Sequence, residues 1–72
     1  MNPDDQKLIQ AAYEDAIKGL YGKLFDGYVT AGGDAAQEQQ AEQRFTKGVG
    51  LARRSRDRAM TLLGQSAAVA SS

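Results

Sequence analysis

The chain has 72 residues, 9 of them basic and 9 acidic for a formal net charge of zero, and it contains neither cysteine nor histidine. Those two absences exclude a disulfide framework, the usual zinc sites, a thiol nucleophile and imidazole acid–base catalysis. So short a chain holds one domain with a marginal core, and of the devices small folds use to offset that deficit, self-association is the one left open.

The first element opens at Asn-Pro-Asp-Asp, residues 2–5. Asn2 suits an N-cap, Pro3 the first helical position, and Asp4 and Asp5 the positive end of a helix dipole. Ile9, Tyr13, Ala16, Leu20, Leu24 and Tyr28 then recur three or four residues apart, with Ile17 and Tyr21 widening the stripe. This period predicts an amphipathic helix over about 3–29, with Glu14 and Lys18 as an i,i+4 pair on its wet face. Glycines 19, 22 and 27 interrupt it, each costing about 1 kcal/mol relative to alanine. Close approach of another backbone or fraying near the turn accounts for such residues.

Thr-Ala-Gly-Gly-Asp at 30–34 reads as the turn. Glycine permits the left-handed conformation that ends a helix, and Asp34 with Gln37 has capping-box spacing for the next one. A connection this short makes the neighbours antiparallel.

The second helix is expected over about 35–63, opening on the polar run Ala-Ala-Gln-Glu-Gln-Gln. Phe45, Ala52 and Ala59 fall seven apart, and Ala41, Gly48, Ser55 and Leu62 form a second row, a heptad-like seam of mostly small residues. The bulky stripe Ile9, Tyr13, Leu20, Leu24 and Tyr28 should pack on Phe45, Val49, Ala52, Ala59 and Leu63. Lys-Gly-Val-Gly at 47–50 raises the competing expectation of a bend near Gly48 and Gly50. Gly64 reads as a stop, which leaves residues 65–72 as a flexible tail. The fold class is therefore all-α: an antiparallel hairpin over residues 1–64, completed to a helical bundle by self-association.

Charge is unevenly placed. Up to Glu42 the chain has eight acids and three lysines; beyond it come six bases and one acid, Asp57. Folding about Gly32 would set Arg53, Arg56 and Arg58 near Asp4 and Asp5, and Arg44 and Lys47 toward Glu14 and Asp15. Neutralisation within the hairpin is the main reading of the arginines. The competing one takes Arg44, Lys47, Arg54 and Arg58 as a single stripe that tracks nucleic-acid phosphates. No aromatic side chain interleaves with these bases, and no nucleic-acid-binding motif is present.

A hairpin buries one stripe per helix, and this chain has apolar residues beyond that need. Leu8, Tyr13, Tyr21, Phe25, Tyr28, Leu51 and Leu62 are the candidate protein-interface residues, tyrosine combining an apolar body with a polar tip. The partner is expected to be a second copy or another protein. In architecture alone, with no shared motif, the hairpin resembles small dimeric RNA-binding hairpin proteins of the plasmid copy-control kind, and architecture does not carry function. No catalytic or metal site and no cofactor is expected. Two helices offer little dry concave volume in which to shift the pKa of a carboxylate or lysine. No apolar run approaches the ~20 residues of a membrane span, and the acidic opening lacks the pattern of a secretory signal. The cytoplasm is the expected compartment.

Overall fold

The computed structural model describes residues 2–71, with side chains described through Gly64. It is all-α: α1 (Pro3–Ala31) and α2 (Ala35–Ser71) pack against each other as an antiparallel hairpin. Both helix starts follow the local rules. The Asn2 side chain accepts from the Asp4 N–H at 2.9 Å, with Pro3 next in line. Asp34 caps α2, its Oδ1 accepting from the N–H groups of Ala36 at 2.9 Å and Gln37 at 3.4 Å, while the Gln37 amide returns to Asp34 Oδ2 at 3.5 Å. Gly32 takes the left-handed conformation (φ 55°, ψ 35°) as its N–H closes on the Tyr28 carbonyl at 3.3 Å. Gly33 follows at φ 90°. A side chain at either position would be strained.

The register is set by four contacts. Gly27 faces Ala41, Leu20 lies on Gly48, the Tyr28 hydroxyl meets Glu42, and Arg56 covers Tyr13, so facing residue numbers add to 68–70. The chain thus reverses about Asp34 rather than Gly32, because the glycine ends α1 and the aspartate begins α2. That corrects the expected charge pairing: Arg53 and Arg56 lie beside Tyr13, not Asp4 and Asp5. Glu14 and Lys18 are not paired either. Among the described residues the ion pair within 4 Å is Arg56–Asp57, at 3.1 Å between sequence neighbours.

The seam of α1 is Ile9, Tyr13, Ile17, Leu20, Leu24, Gly27 and Ala31; that of α2 includes Ala41, Phe45, Gly48, Val49, Ala52, Arg56 and Ala59. Ala16, Ser55, Leu62 and Leu63, expected in the seam, are exposed. The spacing explains the exchange of Ser55 for Arg56. Ala41 and Ala52, Phe45 and Arg56, and Gly48 and Ala59 are each 11 apart. An eleven-residue repeat has about 3.67 residues per turn, close to an ideal helix, and does not impose the left-handed winding of a heptad.

Two further expectations change. Helix α2 is unbroken through 47–50, since Gly48 serves to admit Leu20 against the backbone. It also runs past Gly64 to Ser71: one glycine costs about 1 kcal/mol, and the alanine-rich segment that follows favours helix. The flexible-tail expectation otherwise concerns side chains of 65–72, outside the described residues. Since α1 has 29 residues and α2 has 37, α1 cannot flank the whole of α2.

Candidate interaction surfaces

The hairpin has very little interior. Ala31 and Ala41, each 7% exposed, are its buried apolar residues, and no large side chain among those described is fully buried. The Cα envelope measures 58 × 17 × 9 Å, one helix layer thick. A stable domain ordinarily needs two layers, so that each apolar stripe is covered.

The large apolar side chains left exposed lie on two flanks. On one, Tyr21, Phe25, Tyr28 and Val29 stand along the turn-proximal half of α1, with Phe25 and Val29 more than half exposed. The Tyr28 hydroxyl donates to Glu42 Oε2 at 2.6 Å across the helices. That bond, aided by partial desolvation and the nearby Glu42 and Glu38 charges, raises the phenol above its ordinary value.

The opposite flank carries the open side of the seam. A groove of about 850 Å³ near the turn exposes edges of Leu20, Leu24 and Phe45 between Asp26 on α1 and Arg44 on α2. Farther along α2, a shallow cavity of about 410 Å³ is lined by Leu51, Ala59 and Leu62 together with Arg54, Ser55 and Arg58. Leu8 on α1 is 68% exposed, and its spacing of 18 from Asp26, five helical turns, puts it on this same flank.

Of the seven candidate interface residues, six are exposed: Leu8, Tyr21, Phe25, Tyr28, Leu51 and Leu62. They divide between the two flanks and do not form one patch. Tyr13 is half-buried in the hairpin's own seam. The Arg56 guanidinium lies 4.4 Å from its ring centroid and Arg53 Nε donates to its hydroxyl at 3.5 Å. Both arginines therefore contact Tyr13 across the helices, Arg56 in cation–π geometry, which charge counting alone did not reveal. Arg44, Lys47, Arg54 and Arg58 are all exposed, and no acid among the described residues lies within ion-pair distance of them.

Among the described residues there is no cluster of three potential metal ligands and no helix long and apolar enough to cross a membrane. Fold and surface together define a two-helix hairpin with large apolar side chains exposed on both flanks. No protein-family model, curated protein or solved structure matches the chain.

Proposed function

We propose that this chain is a non-enzymatic helical interaction protein that works in the cytoplasm as a homo-oligomer, or as a small subunit of a larger assembly. One observation carries the reading: large apolar side chains are exposed on both flanks of a hairpin that fully buries none. Light scattering on a sizing column, across a hundredfold concentration range, tests the reading. A mass of twice 7.7 kDa or a higher multiple is expected; a folded monomer throughout would overturn homo-oligomerisation.

The unpaired cations favour a second reading, a small nucleic-acid-binding regulator using Arg44, Lys47, Arg54 and Arg58. It requires duplex binding that falls steeply with salt, each lost phosphate contact lowering the salt slope by about one. Arg54→Ala and Arg58→Ala would then weaken binding. Salt-insensitive or absent binding rejects it.

A further inference from the structure

We infer that the open flank of the hairpin is covered by the same flank of a second copy, α1 of each chain lying antiparallel along α2 of the other. This inference rests on the homo-oligomer reading above and names its surface.

The argument is one of register. On the open flank, α1 presents Leu8, Gly19 and Asp26, separated by 11 and 7 residues, which are near-whole numbers of helical turns. On α2 the same flank presents Leu62, Leu51 and Arg44, separated by 11 and 7 in the reverse direction. An antiparallel pairing in which facing numbers add to 70 therefore matches all three at once. Leu8 meets Leu62, Leu51 fills the space at Gly19, and Asp26 meets Arg44. Within the chain, Gly19 has nothing within 4 Å of where a Cβ would be, so its backbone is open to close approach by Leu51.

The symmetry is consistent with this register. A two-fold axis parallel to the helices leaves heights along them unchanged, so the register between copies must equal that within the hairpin. Facing residues within the hairpin add to 68–70, in agreement with the 70 demanded between copies. The two turns lie at the same end, and the contact is isologous, so each complementary pair occurs twice. Lys23, which lines the same groove as Leu20, Leu24 and Asp26, falls opposite Lys47 in this arrangement, a like-charge pair whose long stems are able to reach water at the rim. The product is a four-helix bundle two layers thick.

Charge reversal tests the pairing. Arg44→Asp gives a chain with acids at both positions and Asp26→Arg one with bases at both. Each alone should self-associate at least about tenfold more weakly, and an equimolar mixture should form a heterodimer of near wild-type affinity. Both positions are exposed, so circular dichroism should show helicity kept. Because the chain has no cysteine, a Leu8→Cys chain mixed with a Leu62→Cys chain should give a disulfide-linked pair, and Val29→Cys mixed with Leu62→Cys should not. A wild-type oligomer whose reversed variants associate at full strength, without preference for each other, would overturn this interface and leave self-association standing. A monomeric wild type would overturn both, as would a monomer that loses duplex binding on Arg44→Asp.

Discussion

Gly22 and Gly27 lie five residues apart in α1 and should respond oppositely to the same substitution. A Cβ at Gly22 meets nothing within 4 Å, whereas one at Gly27 would stand 2.7 Å from the Ala41 Cβ. Gly22→Ala should therefore raise the melting temperature, through a helix-propensity gain of up to about 1 kcal/mol. Gly27→Ala should lower it, because both atoms in collision are held on rigid backbone. Tyr28 offers a second residue-scale test. Its folded-state phenol is raised above 10.0 by the bond to Glu42. The neutral form is thus favoured by folding, so the stabilisation is complete below about pH 10 and is lost as pH rises through the raised value. Tyrosinate absorbance should show a late-titrating fraction that Glu42→Ala removes; an unchanged titration curve would contradict the bond. Local chemistry was readable from sequence at this scale: Asn2, Pro3, Gly32 and Asp34 each answer to neighbours within four positions. The grip of Arg53 and Arg56 on Tyr13 was not, since it depends on a register that residue types alone leave open.

At the scale of the elements, the turn and the seam share the stability. Removing the cap by Asp34→Ala should cost about 1 kcal/mol, read as a fall in the chemical-denaturation midpoint. Leu20→Ala should cost about 2 kcal/mol, the low end for a leucine truncation because Leu20 is half-buried. It should lower helicity or mass; no change in either would remove Leu20 from the core. Both helices were legible as amphipathic periods, yet the seam of α2 and its C-terminal boundary were not. A heptad frame forecast Ser55 and Leu62 in the seam, whereas the 11-residue spacing of α2 turns Arg56 inward and leaves those two on the open flank. Gly64 looked like a stop because glycine commonly follows a helix, but a C-terminal glycine ends one only when the chain beyond it leaves the helical conformation.

At the scale of the molecule, the hairpin is a single layer of two helices. Its charge is zero in total, but α1 leans acidic and α2 basic, and the described side chains pair these charges scarcely at all within the chain. Among the described side chains no ion pair within 4 Å joins the two helices, because the turn sets the basic segment about five residues away from the acids it was expected to meet. The same displacement leaves Asp26 and Arg44 on one open flank, where a second copy can satisfy both. If two copies complete one core, folding and association are linked, and stability must depend on protein concentration. The decisive measurement is the thermal unfolding midpoint, followed by helical circular dichroism at concentrations spanning two orders of magnitude. A midpoint that climbs steadily with concentration is the predicted result. The same midpoint at every concentration, with full helicity at the lowest, would show that one chain is stable alone and would contradict the account.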